Sequence, residues 1–245
     1  MKLKSLFLIL LAAILFSMCV RQNKESVPGN LDLNKQIGQT RISVNNILNH
    51  VDYFTWGGSV VEEDNKYHMF YARWPHGSTG RIDTIADKPF LGFSGWLKYS
   101  EIAYAVSDNP EGPFKYVKTI VRGSGDSTRW DYYDAHNPHI KRFGDKIYLY
   151  YIANNPLHNP ENDGDVWRKF VGGQKIGFIK ANSVADLVNG NYQKCTEPIV
   201  APDNKKTFHR TVNPSVTQAP DGTYLMMFKS SSQRDGSGQD RKSVV

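Results

Sequence analysis

The chain has 245 residues, with 40% hydrophobic, 12% aromatic and 22% charged side chains and a formal net charge of +6. That length suits one large domain. Two cysteines exclude a disulfide framework, and a basic excess spread along the chain gives no nucleic-acid motif. Part of the +6 comes from the N-terminal lysines and the last residues. The mild remainder suits an anionic partner and a solvated surface equally well.

At the N-terminus, Lys2 and Lys4 precede an apolar run from Leu6 to Phe16. The run is shorter than the roughly 20 apolar residues of a spanning helix, and its flanks are those of a secretory signal. It ends at Phe16-Ser17-Met18-Cys19, and Cys19 there resembles the lipidated cysteine of bacterial lipoproteins. Met18 departs from the small residue usual before that cysteine, so ordinary signal cleavage stays open as the alternative. Residues 1–19 are therefore expected to be a lipoprotein-like signal and 20–45 a polar tether without apolar periodicity. The protein is then exported to the periplasm or the outer cell surface, or else secreted. Its only membrane contact would be the lipid anchor.

From residue 46 onward, Gly and Pro punctuate short runs rich in Tyr, Phe, Val and Ile, the pattern of an all-β chain. Only Val184 to Val188 reads as a turn of helix. Three segments repeat one hairpin. Gly57-Gly58-Ser59 leads to Tyr67–Ala72, Asn137-Pro138-His139 leads to Ile147–Tyr151, and Asn213-Pro214-Ser215 leads to Tyr224–Phe228. Between them lies a second kind of hairpin, at Ile102–Ser107 with Tyr116–Val121 and at Ile176–Ala181 with Tyr192–Val200. Ser59, His139 and Ser215 are spaced by 80 and 76 residues. Such internal periodicity marks a repeat architecture, and one hairpin of each kind makes the four-stranded blade of a β-propeller.

Two blades and one hairpin fit into residues 46–239, which cannot close a ring of at least about four blades. The expected fold is an all-β, C-terminally truncated propeller of about two and a half blades. Residues 240–245, Asp-Arg-Lys-Ser-Val-Val, match what one frame of a common sequencing adapter encodes. They are expected to be foreign to the natural protein.

The string Ala105-Val106-Ser107-Asp108-Asn109-Pro110-Glu111-Gly112-Pro113-Phe114 resembles the outer hairpin of family 43-type glycoside hydrolases. The Asn-Pro openings of the second and third repeats, and Asp221-Gly222-Thr223-Tyr224, are similar to theirs too. The resemblance spans roughly residues 50–230 and implies a five-bladed propeller whose substrate sits at the mouth of the central channel. It implies a hydrolase that cleaves a plant or algal polysaccharide with an acid/base carboxylate pair, and a calcium ion in the channel in some relatives. No metal ligand or other cofactor is assigned.

Where relatives carry Asp-Pro at the start of the innermost strand, this chain has Gly57-Gly58, Asn137-Pro138 and Asn213-Pro214. Asparagine cannot serve as a base at neutral pH. The nearest acids are Asp134 and then Asp52, and these are the candidate catalytic carboxylates. The third repeat offers Phe208-His209-Arg210 instead, so His209 is a candidate acid, similar to the histidine used by neoagaro-oligosaccharide hydrolases. Arg210 would grip a carboxylate or sulfate on the sugar. Trp56 and Trp130 are candidate stacking platforms, with core packing as the alternative, and His136 and Asn137 are candidate sugar contacts. Asp83 and Asp87 belong to the long 75–95 insertion, expected to wall the cleft. Cys195 reads as a half-buried thiol. A non-catalytic glycan-binding propeller, and after it a polysaccharide lyase, are the competing functions.

Overall fold

The structure is a computed structural model that describes residues 43–77, 90, 92–158, 166–203, 207–231 and 241–244. The expected signal, Cys19, most of the tether, Asp83 and Asp87 lie outside the described residues.

Eleven strands are present among the described residues. β1 (Tyr53–Glu63), β2 (Lys66–Pro75), β3 (Glu101–Ser107) and β4 (Lys115–Val121) form one antiparallel meander. A second meander joins β5 (His136–Phe143), β6 (Lys146–Asn154), β7 (Gln174–Ala181) and β8 (Gln193–Lys194). The third sheet is β9 (Phe208–Gln218), β10 (Tyr224–Ser231) and β11 (Arg241–Val244), in the order β11-β10-β9. β11 falls in the residues expected to be foreign. It joins β10 through an antiparallel backbone ladder, a pairing that any side chains can accompany.

The first strands of successive sheets are neighbours, β1 beside β5 and β5 beside β9. That is the blade arrangement expected from the repeat, with the sheets stacked face to face. Three sheets are formed by the described residues, and they do not close on themselves.

Period-two alternation explains why the middle strands are apolar on both faces. On β6, Ile147, Leu149 and Tyr151 enter a core shared with Phe70, Ile102 and Tyr104 of the first sheet. The intervening Tyr148, Tyr150 and Ile152 enter a second core with Val212, Val216, Met226 and Phe228 of the third. A middle blade with a neighbour on each side has no solvated face. Each fully buried Ile, Leu or Phe stabilises the fold by roughly 1.5–3 kcal/mol.

Polar pins link the blades at equivalent repeat positions. Ser59 Oγ accepts from the Ile140 N–H at 3.0 Å, and one repeat later His139 Nε2 accepts from the Val216 N–H at 3.1 Å. Burial lowers the pKa of His139, in keeping with a neutral ring that can accept there. Glu63, at the end of β1, accepts from the Val184 N–H at 2.7 Å and pairs with Arg142.

Three short helices are inserted among the described residues: α1 (Trp96–Tyr99), α2 (Val166–Gly172) and α3 (Val184–Asn189). α3 is the helical turn expected from sequence. Ser183 caps it by accepting from the Asp186 N–H, and Gly190 ends it at φ 85°. α1 and α2 were not foreseen. Each is too short to show a helical stripe, and their apolar residues pack against each other in a separate cluster with Trp74 and Phe90.

Candidate functional site

The repeated dipeptides prove to be backbone devices. Gly57, Asn137 and Asn213 all have positive φ, 34°, 45° and 56°. The strand register slips at each of them, between Trp56 and Gly58, between His136 and His139, and opposite the Met227–Lys229 step. Each innermost strand therefore carries a bulge at the same place. Gly and Asn are the residues that tolerate this left-handed conformation best.

The three bulges converge. Asn137 Nδ2 donates to Asn213 Oδ1 at 2.5 Å, across the second and third blades. A Cβ placed on Gly57 would lie 3.2 Å from Asn137 Oδ1. That oxygen is buried and has no hydrogen-bond partner among the described residues. Around these groups lies an open cavity of about 300 Å³, which also includes Ser59, Pro138, His139 and Pro214.

Trp56, Asn137 and Asn213 also border a second cavity of about 390 Å³, walled by Trp74, Phe93, Trp96 and Trp167 and by His136, Arg210 and Lys229. The Trp96 ring stacks on His136 with centroids 5.1 Å apart and planes at 28°, and Trp74 meets the same imidazole edge-on at 5.6 Å. Trp167 stands perpendicular to Trp96, and Phe93 perpendicular to Trp56. Trp56 keeps 53% of its surface exposed, so one broad aromatic face is open at the rim.

His136 is 4% exposed, and its Nδ1 lies 2.7 Å from Ser100 Oγ. Burial pushes its pKa down to about 3. It therefore presents a neutral ring at physiological pH, suited to hydrogen bonding and stacking but not to donating a proton as an imidazolium.

The cavity brings together four of the residues singled out from sequence, Trp56, His136, Asn137 and Arg210, and leaves four outside its lining. Asp134 is fully buried. Its Oδ1 accepts from the backbone and side-chain nitrogens of Asn154 at 2.8 and 2.9 Å, while Oδ2 has no partner among the described residues. Burial raises its pKa well above the usual carboxylate range, so it anchors the end of β6 as a neutral acid rather than facing the channel. The expectation of a channel-facing loop fails here because Asn154 folds over the carboxyl. Its neighbour Asp131 would be raised by burial too, but the Lys194 ammonium at 2.5 Å and Arg129 at 3.0 Å hold it below the ordinary range.

Trp130 is 2% exposed, tilted against Tyr151 at 5.5 Å and packed on Gly177. The stacking role expected of it gives way to core packing, since neither ring face reaches solvent. Asp52 is exposed in the turn before β1. His209 has φ 60° and a buried Nε2 without a hydrogen-bond partner among the described residues, and it is not part of the lining. Cys195 is half-buried as expected, its Sγ accepting from the Phe178 N–H at 3.2 Å.

Sequence reasoning missed Trp74, Phe93, Trp96, Trp167 and Lys229. One of these had a readable signal, because Phe93 lies in the long 75–95 insertion that was expected to wall a cleft. Among the described residues, no group of three or more His, Cys, Asp or Glu could hold a metal ion.

Among solved structures, the chain is similar in fold to α-L-arabinofuranosidase from Lactobacillus brevis, at 16% identity and a TM-score of 0.51, over 78% of this chain and 52% of that one. It is also similar to a family 117 glycoside hydrolase from the marine bacterium Zobellia galactanivorans, at 15% identity and a TM-score of 0.59, over 80% and 54%. The chain thus spans about half the length of these proteins. No protein-family model matches the sequence, and neither does any curated protein. The likeness is one of fold, antiparallel sheets arranged as in these two proteins.

Proposed function

We propose that the chain belongs to an exported carbohydrate-active propeller of the glycoside hydrolase type, which takes an end of a plant or algal oligosaccharide into the cavity of Trp56, Trp96 and His136. The observation that carries this is the aromatic cavity where three bulged inner strands converge. An apolar pyranose face matches an open indole such as Trp56, and Asn side chains suit sugar hydroxyls. Further support comes from the fold shared with an arabinofuranosidase and a family 117 hydrolase. Export rests on the Lys2/Lys4 flank, the apolar run and Cys19. In the hydrolytic reading, the predicted catalytic carboxylate that is exposed is Asp52, which stands outside the cavity lining.

A second reading, a glycan-binding propeller without turnover, is favoured by one feature. Among the described residues, none that lines the cavity is a carboxylate, whereas glycoside hydrolysis ordinarily needs two. Calorimetry with neutral and acidic oligosaccharides, run beside a product assay, separates the two. Product release that falls in Asp52→Asn supports hydrolysis, and binding without product supports the second reading. Absence of both removes the carbohydrate assignment.

A further inference from the structure

We propose that Ser100 fixes the tautomer of His136, so that the ring presents its Nε2–H to a sugar oxygen in the aromatic cavity. The inference rests on the carbohydrate reading above and names a hydrogen-bond donor, and the residue that positions it, within that site.

Two contacts hold Ser100 against the start of β5. The Ala135 N–H donates to the Ser100 carbonyl at 3.0 Å, and Ser100 Oγ lies 2.7 Å from His136 Nδ1. Ser100 is 2% exposed, and its hydroxyl has no other partner among the described residues. A hydroxyl carries one proton, and a buried one is rarely left without an acceptor. If Nδ1 held the ring proton and donated it to Oγ, the serine proton would have no acceptor. With Ser100 donating to a bare Nδ1, both groups are satisfied. Burial keeps His136 neutral, and a neutral imidazole has a single proton. That proton is therefore on Nε2.

Nε2 has no hydrogen-bond partner among the described residues, and the imidazole forms part of the cavity wall. Unlike Asn137 Oδ1, it is not sealed by its neighbours. The stacked Trp96 and the edge-on Trp74 restrain the ring, so its N–H keeps one direction. Much of the remaining wall is aromatic, from Trp56, Phe93 and Trp167. In such a pocket apolar faces hold the ligand and a few fixed polar groups orient it. A donor without a partner takes an acceptor, and a sugar offers one in each hydroxyl and in its ring oxygen.

The test begins with long-range proton–nitrogen NMR on the full chain, which tells a protonated imidazole nitrogen from a bare one. At neutral pH His136 should show a protonated Nε2 and a bare Nδ1; a protonated Nδ1 overturns the tautomer. Xylo-, arabino- and galacto-oligosaccharides are then titrated in, and the Nε2 resonance should shift with whichever probe calorimetry shows to bind. Ser100→Ala frees the proton to exchange between the two nitrogens. Their resonances should converge, and affinity for that probe should fall roughly two- to tenfold. Ser100→Thr keeps the hydroxyl and should restore both. Should Ser100→Ala unfold, the tautomer and the Nε2 shift in the unaltered chain still decide. A bound probe that leaves Nε2 unmoved overturns the donor role and leaves the carbohydrate reading standing. No binding of any probe overturns both.

Discussion

His136 allows a sharp pH experiment. Its ring is buried against Trp96 and Trp74, and its pKa falls from 6.5 to about 3 because burial penalises the charged form. A base whose folded-state value is depressed stabilises the fold above its unfolded value and loses that contribution as pH falls toward the folded one. Each tenfold step in proton concentration costs about 1.4 kcal/mol. Between pH 7 and pH 3 the imidazole therefore withdraws about 4 kcal/mol of stability, a large share of the roughly 5–15 kcal/mol typical of a domain. Glutamine at this position keeps a polar group but cannot titrate. Urea unfolding of the unaltered chain and His136→Gln should be compared at several values between about pH 4.5 and 7.5. The difference in unfolding free energy should change by roughly 3 kcal/mol between those limits, because about two pH units lie below 6.5. Asp134 titrates with the opposite sign. Its raised carboxyl adds stability that is present below the ordinary carboxylate range and lost as pH rises. It is present in both proteins and cancels in the difference. A difference that stays flat across the range would refute the claim that the fold holds this imidazole neutral.

Gly177→Ala should destabilise the protein by roughly 1–3 kcal/mol or more, since the new methyl would lie 2.5 Å from Trp130 Cη2 and 2.8 Å from Cys195 Sγ; unchanged denaturant midpoints would contradict the packing described. Asp134→Asn should cost less than about 1.5 kcal/mol, as an isostere of a neutral acid, and should leave glycan affinity unchanged; a tenfold loss of affinity with the fold intact would return Asp134 to the site. Trp56→Ala should weaken oligosaccharide binding roughly tenfold with little effect on thermal unfolding, because Trp56 is half-exposed. Cys19→Ser should abolish incorporation of labelled fatty acid in cells if Cys19 is the lipidated residue, and unchanged labelling would point elsewhere.

Much of the architecture was legible because propeller blades repeat along the chain. Strand pairing in a meander is local, so hairpins such as Gly57–Ala72 and Asn137–Tyr151 announce themselves by alternation and turn residues, and both form. Asn137 and Asn213 could be placed at equivalent positions, and with Gly57 they are the three bulges of the inner strands. Their contact with one another lay beyond the sequence, because 76 residues separate them and only blade stacking brings Asn137 Nδ2 to Asn213 Oδ1. The site was read less well. Proximity in sequence to a blade opening selected Asp134 and Trp130 along with His136, yet proximity along the chain does not fix which way each side chain packs. Two went into the core and one into the cavity wall. Trp74, Trp96 and Trp167 lie on a strand end and two short helices that sequence pattern does not connect.

The sequence by itself determined the all-β class, the blade repeat and the residues able to hold the left-handed bulges. Those properties are local or periodic: a turn needs its Gly or Asn, and a strand its alternation, wherever the rest of the chain lies. Tertiary structure alone decided which polar groups face a cavity and which are sealed. It made Asp134 a neutral core anchor, stripped His136 of its charge, and set Arg210 and Lys229 in one aromatic-walled space. The physical reason is that desolvation and the sign of a site depend on what packs around a group, and those neighbours come from three blades.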